Sequence, residues 1–202
     1  MFILAISPGE GFQTPRWDRL ARSGIDALMI REPDLEPKEL LAAARWVRHR
    51  FPGLELWING RLDVALAAGC GLHAPEAHPF VPPGLVPLSR PVHDPAQIPA
   101  RATVRQLIVS PIFPVPGKGP AWGPGRLHLV LHGLPPLSGR LLALGGITPA
   151  NAAWLKHPRL DGVALVRSLW DRPDPETAVA QLRAAWKEPA PASARPRSIN
   201  PR

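Results

Sequence analysis

The 202-residue chain has one cysteine, two methionines and no tyrosine. A lone Cys70 excludes an intrachain disulfide framework and a cysteine cluster for zinc, and it suits a reducing cytoplasm. Long apolar runs are missing as well: none approaches the ~20 residues of a membrane-spanning helix. The opening MFILAIS lacks a basic leader and stops at Pro8-Gly9, so it reads as a buried first strand and not as a secretory signal. Acid is absent from the final stretch PAPASARPRSINPR, and setting aside its three arginines lowers the formal charge from +8 to +5. The remaining arginines are scattered through segments such as RWDRLARSG and ARWVRHRF, without a stripe of interleaved aromatics. Neither nucleic acid nor a membrane is therefore an expected partner.

What the chain does have is 45% hydrophobic residues, enough for one domain with a substantial core. Apolar runs of strand length recur at Phe2–Ser7, Ala27–Arg31, Leu54–Asn59, Gly71–His73, Val86–Arg90, Gln106–Ser110, Leu141–Leu144 and Gly162–Val166. Helical patterns fall between most of them, at Pro15–Arg22, Pro37–Arg50, Leu62–Ala68, Ala150–Lys156 and Pro175–Trp186, with a weaker one near Leu127–His132. The links after the fourth and fifth runs are short and rich in proline, which stunts any helix there. Near-continuous apolar strands alternating with helices imply a parallel sheet covered by helices. Eight such units close into a small (β/α)8 barrel, with a doubly wound open sheet as the alternative. The expected domain is residues 1–188, followed by a disordered basic tail over 189–202.

In a parallel barrel the chemistry sits where strands end, so the polar residues at those places carry the information. Strand two ends in Arg31-Glu32, strand three in Asn59-Gly60-Arg61, strand four in His73, and strand five leads to His93. Strand six ends at Ser110 and opens the loop PIFPVPGKGPAWGPG, which carries Lys118. Strand seven stops at the adjacent Gly145 and Gly146, before Thr148-Pro149, which reads as a helix start; strand eight stops at Arg167-Ser168. Gly145 and Gly146 would let the backbone approach a phosphate, with the N–H groups of Arg167 and Ser168 opening the final helix beneath it. No cluster with metal-ligand spacing is visible. Asp63 and Asp161 read as capping or ion-pairing residues, and His49, His128, His132 and His157 as surface ones. Trp122 reads either as a lid over a ring or as a packing aromatic.

The segments MIREP, INGRLDVALAAGCGLH, SRPVHD, VSPIFPVPGKG, LALGGITPANAAWL and DGVALVRSLW, in this order and spacing, resemble the thiamine-phosphate synthase superfamily. The resemblance spans Ile3 to about Trp186 and implies a small TIM barrel. The synthase branch joins an aminopyrimidine pyrophosphate to a thiazole phosphate with the help of metal-binding carboxylates. Several of its contacts are replaced here: Met29 and Pro33 flank Arg31, Gly60 stands at a magnesium-ligand place, Pro75-Glu76-Ala77-His78 replaces a stretch with the second ligand, and Pro91 replaces a serine.

The chain is more similar to the TenI-type branch, which shares Asn-Gly-Arg after strand three and aromatises a thiazole carboxylate phosphate by moving a proton. That branch implies no cofactor and no metal. The resemblance makes Arg31, Asn59 and Lys118 substrate contacts, and Asn59 could equally fix the Gly60 turn. Arg31 could instead pair with Glu32 or Asp63 in the barrel. The branch's strand-six histidine is replaced by Ser110-Pro111, so His93 and His73 are the candidate acid/base groups. The expected partner is a phosphorylated thiazole, and a homo-oligomer is compatible with the sequence. The alternatives are a divergent synthase and a non-catalytic binder of a phosphate ligand.

Overall fold

The computed structural model describes residues 1–187; the expected tail lies outside the described residues. Eight parallel strands form a closed barrel in chain order. They are β1 (Phe2–Ile6), β2 (Ala27–Ile30), β3 (Glu55–Asn59), β4 (Gly71–His73), β5 (Leu88–Val92), β6 (Gln106–Val109), β7 (Arg140–Leu144) and β8 (Gly162–Leu165). The helices are α1 (Thr14–Arg22), α2 (Pro37–Arg50), α3 (Leu62–Ala68), α4 (Gly123–Gly133), α5 (Arg167–Trp170) and α6 (Pro175–Lys187). Closure excludes the open sheet.

Local signals explain the helices. Glu36 and Glu39 form a reciprocal capping box before Pro37, and Arg48, His49 and Arg50 complement the dipole at the other end of α2. Gly69 stops α3 in the left-handed region, at φ 62°. The link after β4 carries no helix, and the one after β5 only two 3-10 turns, Pro95–Gln97 and Pro99–Arg101, as the prolines required.

Five expectations need correction. The fifth strand runs two residues later than Val86–Arg90 and includes Pro91. The Ser89 carbonyl accepts from Ala74 N–H on the β4 side, and the Val92 carbonyl accepts from Ser110 N–H on the β6 side. By the two-residue period, the N–H that Pro91 lacks would face past the last residue of β4, so no ladder bond is lost. The weak pattern near Leu127 is a full α4, whereas Ala150–Lys156 is only a 3-10 turn over Ala152–Leu155. Thr148-Pro149 does not open it directly: Asn151 turns back, accepting from Thr148 N–H and donating to the Gly146 carbonyl. His128 is buried and His157 half-buried, in a group with His132 whose ring centroids lie 5.5 and 4.8 Å from that of His157.

Strand alternation divides the apolar residues between two cores. One set packs outward against the helices. The other, built on Leu4, Ile6, Ala27, Met29, Trp57, Ile108, Leu142 and Ala164, fills the barrel. The inward positions at the strand starts are polar: Arg140 bonds Glu55 at 3.0 and 2.9 Å and stacks on Phe2, 3.8 Å from the ring centroid. This plugs the end opposite the catalytic face of such barrels.

Candidate active site

The same alternation that sends Trp57 inward sends Asn59 inward at the mouth, and with it His73 on β4, Pro91 on β5 and His93 just past its end. Arg31, Asn59, His73, His93, Ser110, Gly145, Gly146 and Arg167-Ser168 therefore gather at the C-terminal ends of their strands. A cleft of about 320 Å³ lies at the opposite end, lined by Arg48, Glu55, Trp57, Cys70, Gly71 and Arg105 among others. Active sites of parallel barrels lie at the C-terminal face, and the strand-end polar groups converge there. Burial pushes the Cys70 thiol up to about 11, which leaves it an inert packing group.

His93 is exposed, and its ring is tethered by one nitrogen: Nδ1 lies 3.0 Å from the Ser110 carbonyl oxygen and 3.4 Å from Ser110 Oγ. The carbonyl can only accept, so Nδ1 carries the hydrogen and Nε2 presents a lone pair. Its backbone is held by Gln97 Oε1, which accepts from the His93 N–H, and by the Trp122 indole, which donates to the His93 carbonyl at 3.1 Å. Trp122 is buried, so the packing role applies to it and the lid does not.

His73 is only 9% exposed, and its Nδ1 lies 2.9 Å from Ser89 Oγ. Burial, then the nearby charges of Arg90 and His93, lowers its pKa to about 4. The depressed value has a stability consequence. Below its ordinary pKa of 6.5 an unfolded His73 takes up a proton that the folded ring refuses until about pH 4, so stability falls with pH across that window. Burial likewise lowers His128 and His157. The urea midpoint is expected to drop between pH 7 and pH 5, with His73 contributing about 2 kcal/mol at pH 5. In His73→Gln the drop should be visibly shallower; an equal drop would mean that His73 is not the group responsible.

Arg31 is exposed at the end of β2, with no carboxylate partner among the described residues. Neither rival pairing occurs: Glu32 accepts from the N–H groups of Gly9 and Gly11, at 3.3 and 2.6 Å, and Asp63 pairs with Arg61 through two bonds. Asn59 does not fix the Gly60 turn, because Gly60 N–H bonds the His73 carbonyl and the Asn59 amide bonds to none of the described residues. Lys118 is exposed in the β6 loop. Asp161 neither caps a helix nor pairs with a cation as expected; it accepts from the N–H of Leu141 on β7.

Gly145 and Gly146 have positive φ, 108° and 62°, and the β6 loop crosses directly over them. A Cβ on Gly145 would sit 2.9 Å from Pro111 Cα, and one on Gly146 would sit 2.8 Å from Phe113 Cβ. The glycines thus admit a neighbouring loop, whose Ile112 and Phe113 N–H groups bond the carbonyls of Leu144 and Gly145. The N–H groups of Gly146, Arg167 and Ser168 find no acceptor among the described residues. Arg167 and Ser168 open the single-turn α5, not the last helix, which is α6.

The sequence reading missed the polar residues lower in the barrel: Glu55, Ser89, Gln106 and Arg140. Their signal was a polar residue at an inward position of an otherwise apolar strand. Among the described residues, no group of three or more His, Cys, Asp or Glu side chains is placed to hold a metal ion, and no helix is long and apolar enough to cross a membrane.

Fold and mouth together define a (β/α)8 barrel with imidazole and basic groups gathered at its C-terminal face. A family model described as thiamine monophosphate synthase matches residues 10–169, and the chain belongs to that family, which serves thiamine biosynthesis. It is 34% identical to the thiamine-phosphate synthase of Methanoculleus marisnigri over 161 residues, covering 74% of this chain and 76% of that one. It is 32% identical to the thiamine-phosphate synthase of Albidiferax ferrireducens over 172 residues, covering 76% and 75%. In structure it is similar to a thiamine phosphate pyrophosphorylase from Pyrococcus furiosus, with a TM-score of 0.76, 16% identity, and coverage of 92% and 95%. That last likeness speaks to the fold alone. Both sequence relatives are named for the synthase reaction, not for the tautomerase.

Proposed function

We propose that the protein isomerises a phosphorylated thiazole carboxylate in thiamine biosynthesis, without a metal ion. The observation that carries this reading is His93: one ring nitrogen is committed to the Ser110 carbonyl and the other is left as a base at the barrel mouth. Gly145, Gly146, Arg167 and Ser168 would take the phosphate on backbone N–H groups, and Lys118 and Arg31 would pair the carboxylate. Asn59 would bond the ring. The Nε2 lone pair of His93 accepts a proton from one ring carbon, and the electron pair left behind is delocalised through the ring. The imidazolium then returns a proton at a second carbon, so composition and oxidation state are unchanged.

A synthase is the second reading, and the names of the relatives favour it. That reaction calls for Mg²⁺ to neutralise a leaving pyrophosphate, held by carboxylate oxygens. The residues at the mouth do not fit the ion. Glu32 is spent on Gly9 and Gly11, Asp63 on Arg61, and Glu76 on Gln97 and Arg101, at 2.9 and 2.7 Å.

One pair of assays separates the readings. Chelator-treated protein is mixed with the unaromatised thiazole carboxylate phosphate, and the aromatic ring is followed by its ultraviolet absorbance. Acceleration over buffer is expected. In parallel, aminopyrimidine pyrophosphate and thiazole phosphate are incubated with and without Mg²⁺. Thiamine phosphate formed only with Mg²⁺, with no aromatisation in the first assay, would establish the synthase instead.

A further inference from the structure

One line of hydrogen bonds runs through the barrel from its plugged end to the mouth. Glu55 accepts from both terminal nitrogens of Arg140 and from the Trp57 indole N–H, at 2.9 Å. Arg140 Nη1 lies 3.5 Å from Gln106 Oε1, Gln106 Nε2 lies 3.2 Å from Ser89 Oγ, and Ser89 Oγ lies 2.9 Å from His73 Nδ1. Ser89 and Gln106 are fully buried.

The line has only one consistent direction. Arginine has donors and no acceptor, so the amide oxygen of Gln106 faces it and the NH2 group faces Ser89. The Ser89 oxygen accepts there, and its own proton has a single remaining neighbour, His73 Nδ1. Leaving a buried hydroxyl proton without an acceptor is costly, so the proton points to Nδ1. His73 therefore carries its ring hydrogen on Nε2, which has no partner among the described residues. His93 has the opposite arrangement, with its hydrogen on Nδ1.

We propose that Gln106 and Ser89 are positioning residues that hold His73 as its neutral Nε2–H tautomer, a hydrogen-bond donor to an anionic oxygen of the ligand, leaving His93 as the sole base. The donor role rests on the proton-transfer reading above; the tautomer assignment does not. His73 stays neutral across the working range because burial disfavours its charged form. Two imidazoles with opposite tautomers and different environments divide the work of base and donor.

The test reads the tautomer directly, by long-range ¹H–¹⁵N correlation of histidine-labelled, ligand-free protein near pH 7. His73 is expected as Nε2–H and His93 as Nδ1–H. In Gln106→Glu the new side chain is acceptor-only, so it takes the Ser89 proton, and Ser89 must then accept from His73. His73 is expected to switch to Nδ1–H, and kcat on the thiazole carboxylate phosphate to fall by about 10²-fold, the scale of a lost donor. The pH dependence of kcat should not move. Ser89→Ala provides a second variant should the first fail to fold, and is expected to give a mixture of both His73 tautomers.

His73 found as Nδ1–H in the wild type, or left unswitched in Gln106→Glu and unmixed in Ser89→Ala, would overturn the proposal. An unchanged kcat in a variant whose tautomer has switched would overturn the donor role. Wild-type protein with the stated tautomers but no aromatising activity would overturn the proposed function and leave the tautomer control standing.

Discussion

Replacing His93 with alanine is expected to lower turnover of the thiazole carboxylate phosphate by 10²–10⁴-fold, the range for loss of a positioned acid/base, while ligand binding stays close to that of the wild type. The split follows from the geometry. Among the described residues the His93 ring hydrogen-bonds only to Ser110, through Nδ1, so truncation breaks few bonds of the framework, and the residue is exposed, which limits the packing loss. The backbone of residue 93 remains held by Gln97 and Trp122. The proposed phosphate contacts lie after other strands, at Gly145-Gly146 and at Arg167-Ser168. Arg31→Ala and Lys118→Ala should give the opposite pattern, a raised KM with a smaller change in kcat, because the role proposed for each is to supply charge to binding and not to move a proton. Steady-state kinetics with a ligand-induced Tm shift on the same samples decide this. Full turnover in His93→Ala would move the base elsewhere, and His73 is a poor substitute: its Nδ1 is occupied by Ser89 and its basicity is depressed.

The barrel was legible in the sequence because each strand is a short run that must be apolar on both faces, and proline or glycine bounds most of them. Pro91 marks where that logic slips. A proline reads as the end of a strand, and only the length of its neighbour β4, three residues, frees the side on which the missing donor would fall. The mouth was legible for a topological reason: in a parallel barrel every strand end points to one face, so Arg31, Asn59, His73 and His93 needed only correct strand boundaries to converge. What the sequence did not carry was the state of each group. The Ser110 carbonyl that fixes His93 is backbone, and the spent carboxylates of Glu32, Asp63 and Glu76 become visible only once their partners are in place. The Gly145-Gly146 pair is a case of one sequence feature with two structural uses. The corner admits the β6 loop by contacts the structure contains, and the same bare backbone leaves the Gly146 N–H open at the mouth.

Trp57→Ala is expected to destabilise the fold by about 3–5 kcal/mol, the scale for truncating a buried aromatic, and Gly71 provides the means of showing why. Trp57 fills the barrel centre at 1% exposure, and its ring lies over its Cα partner on β4, Gly71. A Cβ added to Gly71 would stand 2.4 Å from Trp57 Cε3. The ring cannot swing away, since its N–H is held by Glu55 and Leu4, Met29, Ile108 and Leu142 belong to the same interior cluster. Gly71→Ala in the wild-type background should therefore cost about 1–3 kcal/mol by overpacking. In the Trp57→Ala background the same change meets an empty space and should cost close to nothing, or restore a little of what was lost. The two substitutions are thus expected to couple by at least ~1 kcal/mol in a double-mutant cycle of urea midpoints measured at a common m value. Additive effects would mean that β4 moves outward to accept the methyl group, and that the glycine is there for the approach of the strands and not for the indole.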